Sequence, residues 1–255
     1  MTSSSNNSVV LHIRRWCLWQ AQTTDQALLI TADAAGACRT EIEGRPQLAT
    51  IAPIQRRRLS PLARVVFETL SHCATPHAQE VLVFSSVLGE IQRTQTMLEA
   101  IANETEVSPA TFSLSVHNAI GGLWSQLQGI KAPMIALAPT TNSPVPALLE
   151  GAGVLLESTA QGVNIVCAAE NQPAFYDPWI SSPVGPSALA LHLDASARDC
   201  ALSLRLQPLD TNDHSHRCNS NSYDNMTAFI QLLTNQEDHC HIRESHCHWQ
   251  LERLP

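Results

Sequence analysis

Short apolar runs alternate with segments of helical periodicity along most of the chain. Residues 9–19 alternate apolar and polar positions, which predicts a strand. Apolar runs at 81–84 and 163–168 are typical of strands that are buried on both faces of a sheet. A further short strand is predicted at 134–138. Apolar residues recur at helical spacing in four segments, which are 59–70, 87–102, 113–128 and 145–157.

This order of elements predicts an α/β fold. Alternating strands and helices indicate a largely parallel sheet with helices on both faces. Strands at 188–193 and 200–206 flank a turn-like segment, so we expect them to form a hairpin. The composition becomes polar after this point, which divides the chain into a domain at 1–208 and a partly ordered extension at 209–255. Within the extension, 226–233 predicts a short helix and the last residues a strand or hairpin.

Composition and charge exclude several functional classes. The chain has 255 residues, of which 44% are hydrophobic and 15% charged, with a net charge of −8. These values are typical of a globular protein and speak against a nucleic-acid partner, which would require a basic face. No apolar run approaches the ~20 residues of a membrane span. The polar start lacks the pattern of a signal peptide and the cysteines form no CxxC, so we expect a cytoplasmic protein with reduced thiols and no cofactor.

The turn after the strand at 134–138 is the most informative position for chemistry. In many α/β enzymes such a turn holds a nucleophile at the start of the next helix. Here it contains Pro139, Thr140, Thr141 and Asn142, with no cysteine. A threonine hydroxyl without a base is a poor nucleophile at neutral pH.

Three segments of the chain resemble the chain length factors, which are β-ketoacyl synthase-like proteins. They are the run Arg56-Arg57-Arg58-Leu59-Ser60, the segment 108–119 with Ser115-Val116-His117-Asn118-Ala119, and residues 129–133. The resemblance is to the short type, equivalent to the amino-terminal half of a synthase, that is found with aryl polyene biosynthesis clusters. It spans roughly residues 10–206, and Trp249 also fits.

The resemblance implies a thiolase-like half-fold with a mixed, mostly parallel five-stranded sheet between helices. It also implies that strand 134–138 pairs with the same strand of a partner, an active β-ketoacyl synthase subunit, in a heterodimer. In active synthases the residues after this strand carry the acyl-accepting cysteine, and that position falls at Thr140 or Thr141. The catalytic histidines of a synthase belong to the half that this sequence lacks. The resemblance therefore implies a non-catalytic subunit.

Candidate site residues follow from the same resemblance. The expected interface residues are Ser115, His117, Asn118, Met134, Ile135, Ala136 and Leu137. Leu114, Leu123, Trp124 and Leu127 are candidates to line or block the acyl tunnel that limits chain length. Arg56, Arg57 and Arg58 are candidates to contact an acidic acyl carrier protein, a possible second partner.

Two alternative functions remain open at this point. The first is a divergent acyltransferase or hydrolase that uses Ser115, Thr140 or Thr141 with His117. Ser115 and His117 are two positions apart on a predicted helix and would not face each other. This spacing disfavours a hydrolase or acyltransferase that uses them as nucleophile and base.

The second alternative is a metal-binding regulatory module in the carboxy-terminal extension. Its weak candidate ligands are His239, His241, His246 and His248, with Cys240, Cys247, His214, His216 and Cys218 nearby. No recognised zinc spacing is present, so we expect no specific metal site.

Overall fold

The computed structural model describes residues 8–75, 79–157, 160–173, 175, 184–209, 225–244 and 247–255. Its strands are β1 (Val9–Ala21), β2 (Gln26–Asp33), β3 (Gly36–Glu43), β4 (Val81–Ser85), β5 (Met134–Leu137), β6 (Gly162–Ala169), β7 (Ser187–Asp194), β8 (Leu202–Leu209), β9 (His239–Arg243) and β10 (His248–Leu254). Its helices are α1 (Pro53–Arg56), α2 (Pro61–Cys73), α3 (Ile91–Ala102), α4 (Pro109–Ser113), α5 (Ala119–Gln128), α6 (Val145–Glu157) and α7 (Asn225–Leu233).

In the described residues, all ten strands belong to one mixed sheet with the order β5-β4-β6-β7-β1-β8-β10-β9. Strand β4 is parallel to both of its neighbours, β5 and β6. The remaining described pairs are antiparallel. The long strand β1 pairs with β8 through residues 9–13 and with β2 through residues 16–21. The β2–β3 hairpin therefore branches from the main sheet.

Each face of the sheet is covered by its own helices. On one face, α6 and α7 pack over inward-pointing residues such as Ile165, Leu191 and Leu204. On the other face, α2 and α5 cover the alternate residues, including Phe84, Val166 and Ala190. The period of two in the strands thus supplies two separate hydrophobic cores.

The prediction of a mixed sheet between helices is confirmed, but its details were wrong in three respects. The sheet has ten described strands rather than five, and antiparallel pairs outnumber parallel ones. The strands near 188–193 and 200–206 are not hairpin partners, because β1 lies between them. Local turn signals do not reveal that the amino-terminal strand inserts between β7 and β8.

The predicted helix at 113–128 is also divided. Helix α4 ends at Ser113 and α5 begins at Ala119, so His117 and Asn118 lie in the connecting turn rather than within a helix. Asparagine and glycine have low helix propensity, which is consistent with a break here. Similarly, the helix predicted from residue 87 begins at Ile91.

The division at residue 209 stays a prediction. Strand β10 pairs with β8 along its whole length, from His248 opposite Leu209 to Leu254 opposite Ser203. Helix α7 contributes Phe229 and Leu232, both fully buried, to the same core as α6. The described part of the extension therefore shares a sheet and a core with the rest of the chain.

Candidate functional site

Strand β5 forms an open edge of the sheet as far as the chain is described. Leu82 N donates to Pro133 O at 3.4 Å and Ser86 N donates to Leu137 O at 3.1 Å, so these carbonyls face β4. Because backbone groups alternate along a strand, the N–H and C=O of Met134 and Ala136 point away from β4. The strand contains neither charge nor proline, the usual protection of an edge against pairing.

Helix α5 lies against β5 through a close contact at Gly121. A Cβ atom at this position would lie 3.1 Å from Met134 Sδ, closer than ordinary van der Waals contact. The small residue thus permits the helix to pack on the strand. Trp124, a tunnel candidate on the same helix, is buried and makes an edge-to-face contact with Phe67, with ring centroids 5.2 Å apart.

The other tunnel candidates are less deeply placed. Leu123 and Leu127 are partly buried and pack on the same core as Trp124. Leu114 is partly exposed at the end of α4. That any of these residues lines a tunnel stays a prediction.

His117 connects the α4–α5 turn to the end of β4. Its Nε2 donates to Ser86 O at 2.7 Å, because a carbonyl oxygen can only accept. The ring also packs edge-on to Phe84, with centroids 5.7 Å apart. Gly89 has a φ of +57°, and a Cβ there would lie 3.0 Å from His117 Cδ2. The histidine therefore fixes the loop that follows β4.

Ser115 and His117 are not arranged as a nucleophile and base. Ser115 Oγ donates to Phe112 O at 2.8 Å, whereas His117 binds the carbonyl of Ser86. A serine nucleophile requires its hydroxyl within hydrogen-bond reach of the base. Asn118 is exposed and starts α5 without a side-chain capping bond.

The turn between β5 and α6 places a carboxylate beside the predicted nucleophile position. Thr141 Oγ1 donates to Glu244 Oε2 at 3.2 Å, and Thr140 is exposed. The other carboxylate oxygen, Glu244 Oε1, is buried and has no hydrogen-bond partner among the described residues. Ser143 Oγ accepts from Val145 N at 3.2 Å and so caps the start of α6. Glu244 was not a predicted site residue, since nothing in the sequence links it to a threonine 103 positions away.

Cys167 lies near the end of β6 and borders a cavity of about 70 Å³ that Asn142, Met226 and Thr227 also line. Burial raises the pKa of the Cys167 thiol to about 12. The thiol is therefore protonated at neutral pH and is a poor nucleophile. It does not replace the cysteine missing from the turn.

Two buried carboxyl groups follow β4 and β6. Glu90 accepts from Ser60 Oγ at 2.6 Å and from Arg93 Nε at 2.8 Å. Glu170 accepts from the backbone N of Gln92 at 3.3 Å. Burial raises the pKa of both carboxyls, and the pKa of Glu170 reaches about 7, with the nearby charge of Glu90 contributing. An acidic residue placed directly after a buried strand, as Glu170 is after β6, was a signal that sequence analysis could have used.

The opposite, amino-terminal ends of β4 and β6 hold a different polar cluster. Buried His192 Nε2 lies 3.2 Å from both carboxylate oxygens of Glu80. Asn164 Nδ2 donates to Glu80 Oε2 at 2.9 Å. Although burial opposes it, the combined bonds and charge of these partners hold the pKa of Glu80 below its usual value.

The predicted carrier-binding arginines surround the start of α2. Arg56 Nη1 donates to Gln47 O at 2.6 Å, and Arg57 and Arg58 are exposed. Arg93 Nη2 donates to the carbonyl of Arg58 at 2.8 Å. Contact with a carrier protein stays a prediction.

Two of the histidines proposed as weak metal ligands are neighbours, and the third that is described lies on the adjacent strand. His239 and His241 have ring centroids 5.8 Å apart on β9, whereas His248 lies on β10 opposite Arg243. His246, His214, His216 and Cys218 lie outside the described residues. Among described side chains, no three of His, Cys, Asp or Glu group closely enough to hold a metal ion.

The described helices include none with the length and apolar character needed to span a bilayer. The longest of them, α2 and α6, have 13 residues each and contribute to the two cores.

Comparison with known proteins addresses the fold. A chain in the structure of the ketosynthase ApeO in complex with its chain length factor ApeC, from Xenorhabdus doucetiae, is similar with a TM-score of 0.71. The two are 21% identical, and the match covers 96% of this chain and 100% of that chain. At this identity the likeness shows the fold, and it confirms the predicted thiolase-like ketosynthase architecture.

More distant structures were also found. A β-ketoacyl synthase from Burkholderia phymatum STM815 gives a TM-score of 0.48 at 11% identity, over 75% of this chain and 57% of that chain. Ketosynthase twelve of the bacillaene polyketide synthase in Bacillus amyloliquefaciens gives a TM-score of 0.46 at 13% identity, and the match covers 82% of this chain and 46% of that chain. No curated protein sequence matches the chain.

A match to a family model identifies the family to which the sequence belongs. The family model described as the β-ketoacyl synthase N-terminal domain matches residues 19–252, which is most of the chain. The match extends from within β1 to within β10, so it includes the candidate site at β5 and the turn after it. The chain belongs to the family of β-ketoacyl synthase N-terminal domains.

Proposed function

We propose that the chain is a chain length factor, a non-catalytic partner subunit of an active β-ketoacyl synthase in aryl polyene or polyketide chain extension. The observation that carries this proposal is the uncharged open edge of β5, next to a turn without a cysteine. An edge of this kind favours addition of a strand from another chain. A turn that lacks the acyl-accepting thiol cannot form the thioester that condensation by this route requires.

Exposed apolar side chains in the segment before α5 also support a protein partner. Phe112 and Val116, in the segment that carries Ser115 and His117, are 61% and 41% exposed. Large apolar side chains exposed together often mark an interaction surface. The interface would then comprise Ser115, His117, Asn118 and the strand residues Met134, Ile135, Ala136 and Leu137.

The comparison with the ApeO–ApeC complex also supports this role. The matched chain and this one are of similar length, since the match covers 96% of one and all of the other. That structure contains a ketosynthase bound to its chain length factor. In the proposed heterodimer Leu114, Leu123 and Leu127, with Trp124 behind them, would shape the acyl tunnel, and Arg56, Arg57 and Arg58 would face a carrier protein.

The test is co-expression with the ketosynthase encoded beside it, followed by size-exclusion chromatography. Ala136→Pro is the informative variant, because it removes an N–H that points outward and leaves the bonds to β4 intact. We expect a one-to-one complex with the unaltered chain and none with Ala136→Pro. Ala136→Ser retains the N–H and is the matched control.

Two results would contradict the proposal. One is a chain that stays alone with its ketosynthase while product length is unchanged by its presence. The other is a complex that forms equally well with Ala136→Pro, which would place the interface away from the β5 edge. Circular dichroism of the variant shows whether it is folded.

A further inference from the structure

A cluster of arginines at the start of α2 has no described counter-charge. Arg45, Arg56, Arg57 and Arg58 precede the helix, and Arg64 lies in its first turns. In the part of the chain that the structure describes, no carboxylate forms an ion pair with any of them. The whole chain carries a net charge of −8, so this loop is a local reversal of charge.

Arg64 is the unusual member, because it is buried with an exposure of 7%. Its Nη2 donates to the carbonyl of Arg56 at 2.6 Å, and its Nε is buried without a partner among the described residues. Arginine is rarely buried unless it is paired with an anion, since removing a charge from water is costly. The backbone carbonyl accepts a hydrogen bond but does not neutralise the charge.

Glu90, which accepts from Ser60 Oγ at the start of α2, forms its ion pair with Arg93 and not with Arg45, Arg56 or Arg64. Arg56 Nη1 donates to Gln47 O at 2.6 Å, so this side chain also binds a carbonyl. Glu43 accepts from Gln47 Nε2 at 3.4 Å and makes no ion pair with a described arginine. Burial lowers the pKa of Arg64, and the positive charges of Arg45 and Arg56 lower it further. The positive charges of Arg45 and Arg56 thus act on Arg64, where a bound anion would relieve the repulsion.

We propose that Arg45, Arg56 and Arg64 form a binding site for a phosphate group, either free or as an ester. Guanidinium groups present several N–H donors in a planar fork, which matches the oxygens of phosphate. A phosphate dianion also supplies more negative charge than one carboxylate, as a cluster of several arginines requires. The site shares Arg56 with the proposed carrier contact, but it makes no use of the β5 edge and does not require that the chain be a chain length factor.

The test is a titration of the purified chain with inorganic phosphate at constant ionic strength. Binding is measured by calorimetry and by the change in Tm on thermal unfolding. Arg45→Gln is the variant of choice, because Arg45 is exposed and its side chain makes no described hydrogen bond, so the fold should persist. We expect phosphate to bind saturably and to raise Tm. In Arg45→Gln the dissociation constant for phosphate should be about tenfold higher, because one charged hydrogen bond to the phosphate is lost.

Arg198→Gln is the matched control, since Arg198 is an exposed arginine without a described ion pair in the β7–β8 connection. Its affinity for phosphate should equal that of the unaltered chain. Binding that is absent, that does not saturate, or that falls equally in Arg198→Gln would overturn the proposal, because the effect would then be general charge screening.

A second titration with glycerol 3-phosphate identifies the form of phosphate that is bound. Binding as tight as that of inorganic phosphate means that the fourth oxygen faces solvent and that the site accepts esters. Weaker binding of glycerol 3-phosphate supports a site for free phosphate. If Arg45→Gln weakens the binding of both inorganic phosphate and glycerol 3-phosphate, the two ligands bind at the same arginines.

Discussion

The two ends of the parallel strands β4 and β6 carry largely buried carboxyl groups in opposite electrostatic states. At the amino-terminal ends, Glu80 is bound by His192 and Asn164, and its pKa is lowered. At the carboxyl-terminal ends, Glu90 and Glu170 lie near each other with raised pKa values. Burial opposes the charged form of all three groups. The balance between burial and the bonded partners therefore determines the direction of each pKa shift.

The two clusters differ in how their carboxyl groups are bonded. At the amino-terminal ends Glu80 is bonded by a histidine and an amide, although His192 Nδ1 and Asn164 Oδ1 are buried there without partners among the described residues. The carboxyl-terminal ends carry a carboxyl whose pKa is near 7 and, at Glu244, a carboxylate oxygen without a described partner. Unfavourable electrostatics of this kind concentrate at functional sites. In open α/β sheets, ligands also bind at the carboxyl ends of the strands.

The strongest effect of a single substitution should occur at the amino-terminal cluster. His192→Ala removes the buried partner of Glu80 and leaves a cavity, so we expect a loss of about 3 kcal/mol in the free energy of unfolding at pH 7. Urea denaturation measures it. His12→Ala is the matched control, since His12 is half-buried and bonds Ser203 Oγ at 2.8 Å, and it should lose less than about 1 kcal/mol. Equal losses in the two variants would mean that the Glu80 cluster is not a special source of stability.

A substitution at Glu170 should have a smaller effect on the free energy of unfolding, and it should stabilise the protein rather than destabilise it. Its folded-state pKa of about 7 lies above the ordinary value of 4.5, so the folded state retains a proton that the unfolded state has lost. Stability of the unaltered chain should therefore fall as pH rises from 4.5 to 7. Glu170→Gln removes this dependence and should gain about 2 kcal/mol at pH 8, with little change near pH 4.5.

Denaturation of both proteins across this pH range measures the Glu170 effect. Glu106→Gln, at an exposed carboxylate, should leave the pH profile unchanged. Glu80→Gln provides the contrasting profile, because the lowered pKa of Glu80 gives stability that is present above its unfolded value and is lost as pH falls. A Glu170→Gln profile that matches the unaltered chain would remove the contrast between the two ends.

Sequence predicted the elements that build this site and not the contacts that join them. The apolar runs placed β4 and β6 correctly, because strands buried on both faces are continuously apolar. Strand β5 was also placed correctly, although its residues are only partly buried or exposed. Helical spacing likewise located α2 and α6, and the short helix predicted at 226–233 corresponds to α7. The β2–β3 hairpin was missed, since β3 is almost wholly exposed and carries charged residues that hide the alternation.

The polar contacts between distant segments could not be predicted from sequence. Glu80 meets His192 across 112 positions, and Thr141 meets Glu244 across 103. Such pairs depend on the order of strands in the sheet, which was predicted incorrectly for β7 and β8. The missing cysteine was visible in the sequence, whereas the carboxylate beside the same position was not.

The weakest of the expected effects concerns that carboxylate. We expect Thr141→Cys to bring no condensing activity, because Glu244 lies at hydrogen-bond distance from position 141 and a negative charge raises the pKa of a nearby thiol. Adding Glu244→Gln should therefore speed alkylation of the introduced thiol by iodoacetamide several-fold at pH 7.5, about tenfold for each unit of lowered pKa. Peptide mass spectrometry follows this rate, with the exposed Cys38 as an internal reference. Equal rates with and without the carboxylate would show that Glu244 does not govern this position, and the carboxyl-terminal ends would then differ from the amino-terminal ends only through Glu90 and Glu170.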